Sequence, residues 1–260
     1  VKNILTICLL ACLFWVGSSS HAGLRSYKVK RVVIDPGHGG SDQGTKGLIS
    51  KEKDVSLQIA LELGRIIHEN LPDVEVIFTR KTDRAVDLNE RARIANRENA
   101  DVFISIHCNS APNKSVFGTE TFVMGLNKVA GNFEVAKREN AVILLEDDYD
   151  EKYEGFDPNK EESYIMFNMY QKAFLRNSLS LAAKIEDQFA NRVSRKSRGV
   201  KQGPFLVLWR TSMPSVLVET GFLSNDKEEK YLNDKLGRVY IASAIYRALK
   251  DYKDEIEAAN

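Results

Sequence analysis

Val32-Val33-Ile34-Asp35-Pro36-Gly37-His38-Gly39-Gly40 is an apolar run that stops at a histidine set among glycines. Consecutive aliphatic residues suit a strand buried on both faces. The glycines let the backbone turn tightly around His38. The pattern recurs twice: Phe103-Ile104-Ser105-Ile106 leads into His107, and Val216-Leu217-Val218 leads into Glu219. In an open α/β sheet, ligands gather outside the carboxyl ends of the strands. Three residues far apart in sequence are therefore placed to meet on one rim.

The segments between these runs carry the fold. Residues 52–70 place Val55, Ile59, Leu63, Ile66 and Ile67 at helical spacing. Further strands are predicted at 74–78, 119–124 and 205–208, with the runs at 102–106 and 215–218, and further helices at 88–99 and 236–252. Strand alternating with helix implies an α/β fold: one domain with a mainly parallel, mixed, twisted sheet of about six strands and helices on both faces. A length of 260 residues suits one such domain. Residues 128–178 break the alternation with helical patterns around a strongly acidic middle, and are read as a helical insertion. Charge alone makes such a stretch a solvated excursion, yet one this long between core elements is often a lid or docking surface.

The first residues read as an export signal. Lys2 precedes an apolar stretch at 4–17, and Ser18-Ser19-Ser20-His21-Ala22 offers a cut after Ala22. The expected division is a leader at 1–22 and a catalytic domain at 23–260, with the leader as the only membrane contact. The destination is the periplasm or cell envelope. Leu9-Leu10-Ala11-Cys12 also resembles a lipoprotein cleavage box, but apolar residues continue beyond it, which ranks lipidation second. Cys8 and Cys12 leave with the leader, and Cys108 alone makes no internal disulfide. A formal net charge of +1 gives no reason to expect nucleic acid.

After the leader only three histidines remain: His38, His68 and His107. His68 sits late in a helix beside Glu69 and Asn70 and reads as a surface residue. Two histidines with a carboxylate form a ligand set that catalytic zinc uses, and a second, unligated carboxylate must then move protons. The inventory is His38, Glu52, His107 and Glu219. Glu52 in a helix first turn is favoured there by the dipole in any case; Glu219 beside Val218 is costly unless partnered. Arg80 and Arg91 are expected to pair with nearby carboxylates. Arg192, Arg195, Lys196, Arg198 and Lys201 read as a solvated loop, with contact to substrate carboxylates as the lesser reading.

Val33 to Gly40, Lys51-Glu52-Lys53-Asp54-Val55, Ser105-Ile106-His107-Cys108-Asn109-Ser110 and Val218-Glu219-Thr220-Gly221-Phe222-Leu223-Ser224-Asn225 together resemble the motifs of zinc-dependent N-acetylmuramoyl-L-alanine amidases. Thr79-Arg80 with Asp83, and Leu88 through Arg91 to Ala95-Asn96, resemble the intervening blocks. The resemblance runs from about Arg31 to the C-terminus. It implies that His38, Glu52 and His107 bind one Zn2+, that Glu219 is the general base, and that the substrate is the amide joining the lactyl group of N-acetylmuramic acid to L-alanine in peptidoglycan. Cys108 departs mildly from the motif; by strand alternation it points away from His107 and is packing. The insertion resembles that of a branch acting in cell separation, where a helix covers the zinc until an activator protein displaces it. That likeness implies Glu139 or Glu146 as the residue filling the open position on the ion. A zinc peptidase or deacetylase acting on another wall bond, or an inactive wall-binding scaffold, are the alternatives; the four residues present argue against the last.

Overall fold

The computed structural model describes residues 28–125, 130–160, 162–164 and 173–259. The expected leader, its cut after Ala22, Cys8 and Cys12 lie outside them. Six strands form one sheet: β1 (Arg31–Pro36), β2 (Glu75–Phe78), β3 (Val102–Asn109), β4 (Thr119–Met124), β5 (Ser197–Gly203) and β6 (Ser215–Phe222), in the order β2-β1-β3-β6-β4-β5. The first four in that order are parallel. β4 runs antiparallel to β6, and β5 parallel to β4. The fold is thus a single α/β unit on a mixed, mainly parallel sheet.

Among the described residues the helices are α1 (Glu52–Asn70), α2 (Leu88–Arg97), α3 (Ala130–Asn140), α4 (Tyr149–Lys152), α5 (Leu175–Arg192), α6 (Leu206–Trp209), α7 (Asp226–Asn233) and α8 (Lys235–Ala258), with a 3-10 turn at Ala141–Leu145 between α3 and α4. None is long and apolar enough to cross a membrane.

Strand alternation divides the core into two faces. Val32, Ile34, Ile104, Ile106, Cys108, Val216 and Val218 face α1, α5 and α8, where Ile59, Leu63, Ile185, Ile245 and Leu249 are buried. Val33, Phe103, Leu217, Phe122 and Met124 face the other way, onto α2, α6 and the insertion, meeting Leu88, Ala95, Leu206, Ala136 and Ile143. Each fully buried aliphatic or aromatic side chain contributes about 1.5–3 kcal/mol. Burial on both sides explains why these strands read as unbroken apolar runs.

Residues 205–208, expected as a strand, instead begin the short helix α6, which is buried throughout. Its apolar run of four carries no period that separates strand from buried helix. The sixth strand is β5, in the basic stretch expected as a solvated loop. Its residues are committed inward: Arg195 pairs with Glu228 at 2.8 Å, while Arg198 and Lys201 both pair with Glu120. Helices α5 and α7 also lie where no helix boundary was expected. Strands β1, β3 and β6 run past their apolar cores, so His107 and Glu219 lie within strands and not beyond their ends.

Arg91 pairs with Asp35 at 2.7 Å, as expected. Arg80 does not pair with a carboxylate. Its buried guanidinium donates to the carbonyls of Pro36, Gly37 and Lys53, holding the loop after β1 to the start of α1. Asp35 also accepts from Thr79 Oγ1 at 2.6 Å and Ser105 Oγ at 2.7 Å. Burial alone would raise the Asp35 pKa, but Arg91 and the two hydroxyls outweigh it and hold it below the usual carboxylate range. A lowered folded pKa gives stability that is present above the unfolded value and lost as pH falls through the folded one. Asp35→Asn should therefore destabilise the protein by about 3–5 kcal/mol at pH 7, because Arg91 is left buried without its charge partner. Denaturant titrations of both proteins should show the gap narrowing below about pH 4; a gap independent of pH would remove the ion pair from the account.

Candidate metal and catalytic site

The site lies at the carboxyl ends of β1, β3 and β6, on the face covered by the insertion. His107 and Glu219 are neighbours across β3 and β6, and Glu120 on β4 is the next residue in the same row. Odd-numbered positions of β3 and β6 share this face with Phe103 and Leu217, which is why both site residues point to it. Cys108, one step on, is buried in the opposite cluster. Burial raises its thiol pKa well above the ordinary value, leaving it neutral packing.

His38 is brought in by the loop after β1 in the left-handed backbone region, at φ 61°, which is costly for a residue with a Cβ. Gly37 permits a close approach: a Cβ there would stand 2.4 Å from the His107 ring. Asp42 Oδ2 lies 2.6 Å from His38 Nδ1. That contact assigns the proton to Nδ1 and leaves Nε2 as a lone-pair donor facing the cluster. Glu52, in the first turn of α1, is fully buried. Its carboxylate accepts from the backbone N–H groups of Thr45 at 2.7 Å and Cys108 at 2.9 Å.

Glu139, near the end of α3, completes the group. His38, Glu52, His107 and Glu139 each offer one ligand atom, all within 4.8 Å of one another, and all four residues are buried. Glu139 Oε2 stands 3.2 Å from His38 Nε2 and 3.1 Å from His107 Nδ1, and Glu52 Oε1 stands 3.0 Å from each of the same nitrogens. Among the described residues, neither His38 Nε2 nor Glu139 Oε2 has a hydrogen-bond partner. Buried polar atoms rarely go without one. Two imidazoles and two carboxylates converging on one point, with orphaned lone pairs, are a donor set that fits a divalent ion, zinc foremost. The electrostatics agree. Burial opposes every charge here, yet Glu52 and Glu139 draw the His38 pKa well above its ordinary value and that of His107 to about 9, while Glu52 is lowered to about 2. The pocket demands positive charge.

Glu219 has a different environment. It is fully buried, and neither oxygen is hydrogen-bonded among the described residues. The nearest cation is Arg138, whose Nη2 lies 3.6 Å from Oε1. Burial, then the charge of Glu139, pushes the Glu219 pKa well above its ordinary value, against the pull of Arg138. A carboxylate so perturbed holds a proton more readily than an ordinary one, as a group that exchanges protons needs to.

The insertion closes the site. Asn140 fastens the end of α3 by donating to Pro204 O and accepting from Leu206 N, both at 2.8 Å. Glu139, Val142 from the following turn, and Val207 from α6 help line a cavity of about 10 Å³ beside His38 and His107, room for one water at most. Glu146, the other acidic candidate, stands elsewhere. Its carboxylate accepts from Tyr153 Oη at 2.9 Å and from Leu88 N, tying α4 to the start of α2. His68 is exposed, as expected. Asp42 and Arg138 were not anticipated. The first carries the signal of a carboxylate four residues after a loop histidine; the second is hidden in a charge-rich insertion.

Residues 32–251 match the model of the N-acetylmuramoyl-L-alanine amidase family. The N-acetylmuramoyl-L-alanine amidase AmiA of Escherichia coli is 32% identical over 240 residues, covering 91% of this chain and 80% of that protein. The crystal structure of an N-acetylmuramoyl-L-alanine amidase from Clostridium difficile superposes with a TM-score of 0.65 at 27% identity, covering 88% of this chain and 98% of that one. The CwlD amidase of Clostridioides difficile, solved in complex with the GerS lipoprotein, gives 0.64 at 26% identity, with 87% and 99% covered.

Asp42 offers a test of the ligand geometry that needs no turnover. Loss of a carboxylate that orients a ligating histidine costs roughly 10–100-fold in metal affinity. Asp42→Ala should lose zinc to a chromophoric chelator at correspondingly lower chelator concentration, and equal retention would mean that Asp42 does not orient His38.

Proposed function

The chain belongs to the N-acetylmuramoyl-L-alanine amidase family, and from that premise we propose that it is a zinc hydrolase of peptidoglycan held in a latent state. The bond cut is the amide between the lactyl group of N-acetylmuramic acid and L-alanine. The observation that carries this reading is the convergence of His38, Glu52 and His107 beside a buried, unbonded Glu219. His38, Glu52 and His107 would hold the ion. When bound, the ion supplies a Lewis acid that polarises the amide carbonyl and acidifies water. Glu219 takes a proton from the attacking water and passes it to the departing alanine nitrogen. Its raised pKa suits both halves of that task.

Glu139 supplies a fourth donor where a catalytic site keeps an open position. Turnover therefore requires α3 to withdraw. Glu139 is the blocking residue in this reading, and Glu146, bonded to Tyr153 and Leu88, is not. A relative solved with a lipoprotein partner is consistent with an activator protein that binds the insertion and draws α3 away. We place the protein in the periplasm or cell envelope, where its substrate is, delivered by the leader at 1–22, with 23–260 as one catalytic domain and a role in cell separation.

Mass spectrometry of peptidoglycan digested by the purified zinc-loaded protein should detect stem peptides beginning at L-alanine. Glu219→Gln should retain zinc and lose about 10²–10⁴-fold in rate; preserved activity would take Glu219 out of the mechanism. Glu139→Ala, or removal of residues 128–178, should raise basal release by at least ~10-fold, a shift of about 1.4 kcal/mol between closed and open states. An unchanged rate in a folded, zinc-loaded variant would end the latency reading.

A further inference from the structure

Arg138 and Glu139 place a cation and an anion side by side in the closed site, and each has its own seat. Glu139 Oε2 faces the two histidines. The Arg138 guanidinium faces acceptors on its other side: Asn109 Oδ1 at 3.2 Å, Ser110 O at 3.4 Å and Glu219 Oε1 at 3.6 Å. The second seat thus presents a side-chain amide oxygen, a backbone carbonyl and a carboxylate, all suited to a positively charged donor.

The seat is built into the fold. Asn109 Nδ2 donates to Glu120 Oε2 at 3.2 Å, and Glu120 is held in turn by Arg198 and by Lys201 at 2.6 Å. That anchor fixes the orientation of the Asn109 amide. Flipped, it would set its oxygen against the Glu120 carboxylate and its NH2 against Arg138. Ser110 N adds a bond to Asn109 Oδ1 at 2.7 Å. The basic residues of β5 thus act on the site indirectly, by aiming one acceptor into it.

Resting on the amidase reading, we infer that Asn109 Oδ1, the Ser110 carbonyl and Glu219 form the seat of the leaving amine, and that Arg138 with Glu139 fills the closed site as a mimic of the two products. Amide hydrolysis forms a C–O bond from water and breaks the C–N bond. The water protons end on nitrogen, giving a lactyl carboxylate and an α-ammonium group on L-alanine, since an α-amine titrates near pH 8. Glu219 must reach the nitrogen it protonates, and the cation that stands at its carboxylate is Arg138 Nη2, 3.6 Å from Oε1. Asn109 is then a positioning residue for the amine, acting through its fixed carbonyl.

The test uses the full chain opened by Arg138→Ala with Glu139→Ala, zinc-loaded, and two probes: L-alanyl-γ-D-glutamate with a free amino terminus, and its N-acetylated form. Calorimetry or NMR titration should find the free amine bound about tenfold more tightly than the acetylated peptide, the scale of one hydrogen bond to a charged group. Asn109→Ala in the opened chain should abolish the preference while leaving melting and zinc content unchanged. Equal affinity for both peptides, no binding of either, or a preference that survives Asn109→Ala in protein with unchanged melting and zinc content would each overturn the inference. Failure of the amidase reading would look different: digests by the opened chain would lack stem peptides with free L-alanine termini, whatever the probes do.

Discussion

Buried negative charge at the carboxyl end of the central strands is the constraint on which the rest of this structure depends. Asp35, Glu52, Glu120, Glu139 and Glu219 are all almost completely buried around the tips of β1, β3, β4 and β6. Removing a carboxylate from water costs several kcal/mol even after relaxation, so each must be compensated or stay protonated. Asp35 has Arg91 and two hydroxyls, and Glu120 has Arg198 and Lys201. Glu139 has Arg138. Glu52 has two N–H groups and the histidines, a set completed by a cation between its donors. Of these five, Glu219 alone has no hydrogen bond among the described residues, and its cation, Arg138, stands 3.6 Å away. The compensation is graded, and the least compensated carboxylate is the one to which the proposed function assigns the exchange of a proton.

This grading also separates structural from chemical residues in a way that composition does not. Arg80, Arg91, Arg198 and Lys201 are cations near the site, but each is spent on the fold. Arg80 ties the Pro36 and Gly37 carbonyls before His38 to that of Lys53 in α1, Arg91 also donates to His38 O, and the β5 pair holds Glu120. The strained backbone at His38 persists because these donors and Asp42 determine it from several directions.

How much of this was legible follows from where the signals are local. The strand-to-histidine transitions and the period of residues 52–70 depend on neighbouring residues, and α1 and β4 fall where their patterns place them. His38, His107 and Glu219 converge because parallel strands share one end, a rule that topology enforces, whereas Glu52 comes from the first turn of α1 and was singled out by the resemblance. What was missed depends on tertiary context. Phe205-Leu206-Val207-Leu208 is apolar at every position, and only its packing makes it a helical turn. Ser197 to Gly203 is charged because it is an edge strand, where charge is tolerated and discourages further pairing; charge therefore hid a strand. Glu139 and Glu146 look alike in sequence. What separates them is the docking of α3 through Asn140, a contact with the chain more than sixty residues away.

The closed arrangement is self-consistent because its two blocking charges compensate one another. Glu139 is bonded to Arg138 through its outer oxygen while its inner oxygen meets the histidines. The withdrawal of α3 that the proposed latency requires would remove a neighbouring cation and anion together, leaving the net charge of the site unchanged and returning the pair to water intact. A lone glutamate on the ion would leave its departure opposed by the full attraction of the site for negative charge. A lone arginine on Glu219 would stabilise its ionised carboxylate and hold itself in place. Paired on adjacent residues of one short helix, the two make closure specific without making it irreversible. The anchors of that helix include hydrogen bonds from Asn132 to Gln202 O, from Arg138 to Asn109 and Ser110 and at Asn140 to Pro204 and Leu206, with apolar contact through Ala136 and Ile143; the proposed activator would have to outweigh this set.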